Sequence, residues 1–323
     1  MEYTFYFIVI LISFFLLSYL YFFFKLEDSQ RIKKPSVGEF APLKNGNIYF
    51  QKFEPQNSNG EIVFLVHGFS TPSIVWKGVI PFLTKSGFNV IAYDHYGRGY
   101  SARPKVNYTK DFYISTLIEL KTFLNIDQKV HLVGYSMGGP IVGYFANEFS
   151  EMVSSVNFIA PAGCMNQDSS NLSLFIKILS LPGISHYIST VFPSLMYGGN
   201  SSIKLSTEED INKLSQTELN KVYEYQMKFE GFTRSLLSTA KNFNLFNTRN
   251  MYKELGKKNI KTSVIWGSSD EIVSIEGLDS MKEDIPDINI EIVNNGKHDI
   301  TYALPTRVGE FLALQLRSFL QDE

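Results

Sequence analysis

The chain has 323 residues, one cysteine, 30 basic residues against 32 acidic ones, and 44% hydrophobic content. Those numbers exclude a nucleic-acid binder, which would carry a basic excess, a small disulfide scaffold, which needs a paired set of cysteines, and a disordered chain, which could not hold so much apolar content. What remains is a globular enzyme-sized body with an aromatic surplus: of 27 Phe and 18 Tyr, seven Phe and four Tyr fall in the first 24 residues.

Residues 4–24 form a run of 21 without a charge. As a helix rising about 1.5 Å per residue, such a run reaches about 30 Å, the depth of a bilayer's hydrocarbon core. A cleaved signal peptide would want a basic start and small residues before the cut, whereas this chain begins Met1-Glu2-Tyr3 and the run ends Tyr21-Phe22-Phe23-Phe24-Lys25. Residues 1–26 therefore read as a retained single-pass anchor that meets the membrane through residues 4–24. Lys25, Arg31, Lys33 and Lys34 follow the span and no basic residue precedes it, which places the body on the cytoplasmic side. Sequons at Asn107, Asn171 and Asn200 point the other way, but an Asn- and Ser-rich chain produces them by chance. Residues 27–38, charged and interrupted by Pro35, read as a linker.

The body then alternates strands and helices. Residues 62–66 are an unbroken apolar run, as a strand buried on both faces requires. A helix is expected over 75–86, ended by Gly87, then a strand over 88–93, a helix over 112–124, a strand over 130–133, a helix from Ser136 to about Phe149 and a strand over 153–160. This order predicts an α/β fold with a mostly parallel sheet covered by helices on both faces. The rhythm stops near Cys164 and resumes near Lys261. Between them lie helical signals: Leu172, Phe175, Ile176 and Leu179 at three- and four-residue steps, and Ser206 with Glu209 as a capping box before Ile211 and Leu214. Strands are expected again over 262–266 and 288–293, and a closing helix over 306–320. The domain reading is thus a core of 39–163 and 246–323, with a helical cap inserted over 164–245. The cap is rich in apolar side chains, among them Ile184, Tyr187, Ile188, Val191 and Phe192, which could line an acyl tunnel, touch a bilayer or simply pack the cap onto the core.

The sharpest chemical signal is Gly134-Tyr135-Ser136-Met137-Gly138, directly after one predicted strand and before a helix. A nucleophile held on so tight a turn needs residues without side chains two positions before and after it, because neighbouring chain must come close. A serine hydroxyl also needs a base, and a carboxylate to orient that base. Five histidines are available. His95 sits in a Gly-rich turn, His131 begins a buried strand, His186 lies in the insertion and His67 ends a strand beside Gly68; His298, in the loop after the last predicted strand, is best placed to face Ser136. Asp270, in the loop after 262–266, leads for the carboxylate, with Glu271 its neighbour and rival and Asp94 a loop residue suited to backbone bonding. No cluster of His, Cys and carboxylates has zinc-like spacing, no cofactor is called for, and Cys164 reads as an unpaired core or pocket residue.

The order Ser136, Asp270, His298, with His67-Gly68-Phe69, the loop from Asp94 to Ser101, and Trp266-Gly267 ahead of Asp270, resembles the α/β-hydrolase fold over residues 40–323. With the anchor, His67-Gly68-Phe69-Ser70 and the run through Gly139 are similar to membrane-anchored monoacylglycerol lipases and related carboxylesterases. One departure stands out: many relatives carry a Gly-Gly-His-x-Pro-type segment, whereas here Lys297 precedes His298 and Asp299 follows it. The resemblance implies a serine hydrolase cleaving carboxyl esters, with an oxyanion hole from the backbone N–H groups of Phe69 and Met137 and a lipid or other ester as substrate. A thioesterase or carbon–carbon bond hydrolase on the same triad is the alternative reading. A tethered binding protein with little turnover is a third, and it would not need all three triad residues.

Overall fold

The computed structural model describes residues 2–164, 184–192 and 210–321. Its centre is one sheet built from β1 (Glu39–Leu43), β2 (Gly46–Phe53), β3 (Ile62–Val66), β4 (Asn89–Tyr93), β5 (Val130–Tyr135), β6 (Val153–Ile159), β7 (Lys261–Gly267) and β8 (Asn289–Val293). The spatial order is β1-β2-β4-β3-β5-β6-β7-β8. β2 is antiparallel to both β1 and β4, and every pairing from β4 to β8 is parallel. This is the α/β-hydrolase arrangement.

β3 shows why the sheet is buried on both faces. Val63 and Leu65 join one core layer with Val133 and Ile265, while Phe64 and Val66 join the other with Leu132 and Val264. Burying each of these side chains contributes about 1.5–3 kcal/mol relative to exposure, so alternate residues cannot be polar and the run is continuous.

The helices, in chain order, are α1 (Glu2–Phe23), α2 (Ile80–Lys85), α3 (Lys110–Phe123), α4 (Gly138–Glu148), α5 (Ile184–Val191), α6 (Gln216–Lys228), α7 (Phe232–Asn242), α8 (Arg249–Gly256), α9 (Gly277–Asp284), α10 (Ile300–Ala303) and α11 (Pro305–Gln321). Between β6 and β7 every described regular element is a helix, α5 to α8. Thr109 caps α3 and a Ser215–Glu218 capping box starts α6. The other expected box, Ser206 with Glu209, lies outside the described residues, as do Leu172, Phe175, Ile176, Leu179, Asn171 and Asn200.

Two expectations change. The helix over 75–86 is split into a 3₁₀ turn, Ser73–Trp76, and α2. The break falls at Gly78, where a Cβ would lie 2.4 Å from the Asn212 carbonyl oxygen and 2.5 Å from the Pro305 ring, so this position admits closely packed chain from both sides. The linker, in turn, is docked rather than loose. Glu27 donates its N–H to the Lys228 carbonyl at 2.7 Å and accepts from the Glu230 N–H at 2.9 Å, and the Tyr49 hydroxyl donates to the Val37 carbonyl at 2.8 Å. Ahead of it, α1 is apolar over Tyr3–Phe23, with mean hydropathy 2.3. Its Ser18 hydroxyl lies 2.9 Å from the Tyr187 hydroxyl of α5, and Phe15 meets the same ring edge-on at 5.3 Å.

Candidate active site

β5 ends at Tyr135, and α4 starts at Gly138; Ser136 lies between them at φ +54°, in the left-handed region. The turn is stitched in place by the Ser136 N–H to the Ile159 carbonyl at 2.9 Å and by the Gly139 and Ala162 N–H groups, which both donate to the Ser136 carbonyl. The glycines two positions away have no room for a side chain. A Cβ on Gly134 would lie 2.4 Å from the Gly138 carbonyl oxygen, and one on Gly138 would lie 2.1 Å from that of Val66.

Facing this turn is the loop between β8 and α10. His298 Nε2 lies 3.0 Å from the Ser136 Oγ, and His298 Nδ1 lies 2.8 Å from Asp270 Oδ2. A carboxylate only accepts, so Nδ1 carries the proton and Nε2 is left to accept from the serine hydroxyl. Asp270 is in turn oriented by backbone: its Oδ1 accepts from the N–H groups of Ile272 and Val273, both at 2.9 Å. Its carboxylate is fully buried while the imidazole keeps some exposure. Glu271 points to solvent.

The remaining sequence candidates take other places. Asp94 is buried and accepts from the Ser73 N–H, the Ser73 hydroxyl and the Tyr100 N–H; burial raises its pKa to about 6 against those hydrogen bonds. His67 and His95 form a buried pair. The His95 N–H donates to His67 Nε2 at 2.9 Å and His95 Nε2 lies 3.0 Å from the His67 carbonyl, with His67 Nδ1 2.9 Å from the Gly68 carbonyl. His131 is buried on β5, 2.8 Å from the Ser155 hydroxyl, and His186 lies on α5. Cys164 is buried, and burial pushes its thiol up to about 12, which leaves almost no thiolate at neutral pH.

Gly68 brings the loop after β3 against the nucleophile: a Cβ there would lie 3.2 Å from that of Ser136. Phe69 follows on this loop and Met137 follows Ser136. Among the described residues neither of their amides donates a hydrogen bond to another protein group. Sequence reasoning passed over Tyr135, whose hydroxyl donates to the His298 carbonyl at 3.0 Å and whose ring lies 5.3 Å from the imidazole. Its signal was available, since it is the residue just before Ser136 at the end of a buried strand. Of the apolar residues singled out between 172 and 197, Tyr187 touches α1.

Residues 61–184 match the family described as alpha/beta hydrolase fold. Similar curated proteins include monoacylglycerol lipase abhd6-A of Xenopus laevis, 24% identical over 94% of this chain and 87% of that protein, and monoacylglycerol lipase ABHD6 of Homo sapiens, 23% identical over 77% and 73%. Among solved structures, an esterase from Exiguobacterium antarcticum superposes with TM-score 0.70 at 18% identity, covering 87% of this chain and all of that one. A bromoperoxidase from Bacillus anthracis superposes with TM-score 0.68 at 21% identity, over 87% and 99%. The chain has the α/β-hydrolase fold, and it resembles the monoacylglycerol lipases along most of its length.

Proposed function

We propose that this protein is a membrane-tethered serine hydrolase of carboxyl esters, with monoacylglycerols or similar lipid esters as substrates. The observation that carries the reading is the unbroken chain Asp270 Oδ2–His298 Nδ1 at 2.8 Å and His298 Nε2–Ser136 Oγ at 3.0 Å, set on a left-handed turn at the end of β5. Ser136 attacks the ester carbonyl as His298 takes its proton. The alcohol leaves with that proton, and a water deprotonated by His298 then releases the acid from the acyl-enzyme. Asp270 holds the imidazole in the required tautomer and stabilises the imidazolium. The amides of Phe69 and Met137 receive the developing oxyanion, each such donor contributing about 3 kcal/mol in the transition state.

Three features support a lipid ester over a soluble one: the names of the similar curated proteins, the apolar helix Tyr3–Phe23, and the contact of that helix with α5 in the insertion between β6 and β7. The insertion, residues 164–245, is assigned as a cap over the site. The basic residues from Lys25 to Lys34 favour a cytoplasmic body.

The test is fluorophosphonate labelling of the membrane fraction with Ser136→Ala beside the unsubstituted chain, followed by turnover of monoacylglycerols against short aryl esters and thioesters. Labelling is expected to vanish in Ser136→Ala, and turnover to fall by several orders of magnitude in Ser136→Ala and His298→Ala and by about 10⁴ in Asp270→Asn. Labelling that persists in Ser136→Ala rejects the nucleophile, while turnover confined to short soluble esters or to thioesters rejects the lipid-ester substrate.

A further inference from the structure

The loop after β4 holds a second feature that the triad does not use. Arg98 is fully buried, and each hydrogen bond it makes ends on a neutral oxygen: Nε to the Phe69 carbonyl at 2.9 Å, one terminal nitrogen to the Tyr96 carbonyl at 3.2 Å, and the other to the Thr239 hydroxyl of α7 at 2.9 Å. Among the described residues no carboxylate pairs with it. Its guanidinium carbon lies 5.6 Å from the Phe69 ring centre and 5.7 Å from that of Tyr108. Burying a cation without a counter-ion is costly. A turn that merely needed its carbonyls satisfied could use a neutral donor, so the fork and charge of an arginine call for a reason.

We infer that Arg98 is a positioning residue for the Phe69 amide, and that it carries the position of helix α7 into that oxyanion donor. The inference rests on the reading of Ser136 as nucleophile and Phe69 as donor. The N–H and C=O of Phe69 belong to the two peptide planes that its φ and ψ set against each other, so gripping the carbonyl and the ring together fixes where the N–H points. Two residues earlier the chain is held from the same loop as Arg98, since His95 bonds both the ring and the carbonyl of His67. The far end of the guanidinium is equally fixed. The Thr239 hydroxyl donates to the Ser235 carbonyl at 2.8 Å and lies 2.7 Å from the Tyr113 hydroxyl, so its two acceptor sites are filled by Tyr113 and Arg98. A rigid, planar fork therefore runs from α7 to the donor. Lysine could not span both ends, because a single ammonium on a flexible stem lacks the fixed spacing of guanidinium nitrogens. Helix α6 steadies the same loop at later positions, through Tyr223 against the Ser70 and Thr71 hydroxyls and Gln226 on the Ser70 carbonyl, but Arg98 is the link that ends on Phe69 itself.

The experiment uses the full chain in detergent micelles, with active sites counted by fluorophosphonate titration so that misfolded protein drops out. Turnover of an ester is measured beside inhibition by an alkyl boronic acid, which forms an anionic tetrahedral adduct on a serine. Misplacing an oxyanion donor removes transition-state stabilisation and spares ground-state binding. Arg98→Met is therefore expected to lower kcat per titrated site by about 30-fold or more, to leave KM within about threefold, and to weaken the boronate in parallel with kcat. Arg98→Lys should fall between the two. Thr239→Val, which keeps the cation and cuts its tie to α7 along with the Tyr113 hydroxyl contact, should lower kcat by roughly three- to tenfold with the same split. Unchanged kcat and boronate affinity per site in Arg98→Met, with only a lower Tm, would overturn the inference. If Arg98→Met yields no titratable sites, Arg98→Lys and Thr239→Val decide, and unchanged kcat in both overturns it. Failure of the unsubstituted chain to label or to hydrolyse any ester would instead remove the parent reading, and this inference with it.

Discussion

Ser136 holds its hydroxyl toward His298 at a backbone angle, φ +54°, that costs an L-residue about 1–2 kcal/mol because Cβ crowds the following carbonyl. The strain is local, and glycine relieves it while alanine does not. Ser136→Ala and Ser136→Gly both lose the Oγ, so the difference between them isolates the backbone. Ser136→Gly is expected to be the more stable of the two by about 1 kcal/mol, a Tm higher by about 2 °C for a body of this size, with both inactive. Equal Tm values by differential scanning fluorimetry would show that the turn is unstrained. Gly138 obeys the opposite rule. A Cβ there would press to 2.1 Å from the Val66 carbonyl on the neighbouring strand, so Gly138→Ala must push α4 off the sheet and should cost more than 3 kcal/mol, read as loss of soluble, labelled protein.

At the scale of elements, the linker is where sequence and structure diverge most usefully. Residues 27–38 read as a tether because they are charged and broken by Pro35, but what docks them is backbone: the Glu27 N–H and C=O pair with Lys228 and Glu230 at the end of α6. Main-chain pairing leaves no mark on side-chain composition. The carboxylate of Glu27 is 3.8 Å from Lys228 Nζ and both groups are exposed, an ion pair worth little. Glu27→Ala should therefore leave the docking intact. Glu27→Pro removes the N–H and should expose the 25–38 segment to limited trypsin digestion about tenfold faster; fast digestion of Glu27→Ala would mean the charges hold the strap, and slow digestion of Glu27→Pro would mean this backbone pairing does not. The same physics sorts the rest of the fold. β3 was legible because it is buried on both faces and apolar throughout, while β5 and β7 showed through the shorter apolar runs Leu132-Val133 and Val264-Ile265-Trp266. The hairpin of β1 and β2 went unread although Asn45-Gly46 marks its turn, since Pro42 and the half-exposed alternation around it dilute the strand pattern. In the site, Ser136, Asp270 and His298 could be found because each stands just after a strand. Arg98 could not, because its role is set by a partner as distant in the chain as Thr239.

For the molecule as a whole, the buried pair His67 and His95 makes stability depend on pH in a direction that can be worked out. Burial pushes both pKa values down, with Arg98 adding to the effect on each and His95 adding to that on His67; His95 falls to about 3 and His67 lies well below the ordinary value of 6.5. Above that value both are neutral in the folded and unfolded chains alike, and the stability they contribute is fully present. As pH falls below 6.5 the unfolded chain takes up protons that the folded pair refuses, and stability is lost progressively. Asp94 acts the other way. Its pKa is raised from 3.8 to about 6, so between those limits the folded chain binds the extra proton and acidification favours it. The two histidines act together against the one carboxylate, so acidification from pH 6.5 to pH 4.5 should on balance destabilise the fold. Urea midpoints of the full chain in micelles should accordingly drop steadily from pH 6.5 to pH 4.5. In His95→Gln, which keeps a donor toward the His67 carbonyl, the slope over that range should lessen by about the share of one histidine. A midpoint that stays flat or rises on acidification, or a slope unchanged in His95→Gln, would rule out this pair as the source. The consequence reaches function through geometry: the same pair holds the strand end that leads into Gly68 and Phe69, so acid should disorder the proposed oxyanion loop in step with the loss of stability. Incubation at pH 5 followed by assay at pH 7 distinguishes that unfolding, which recovers slowly or not at all, from reversible titration within the site, which recovers at once.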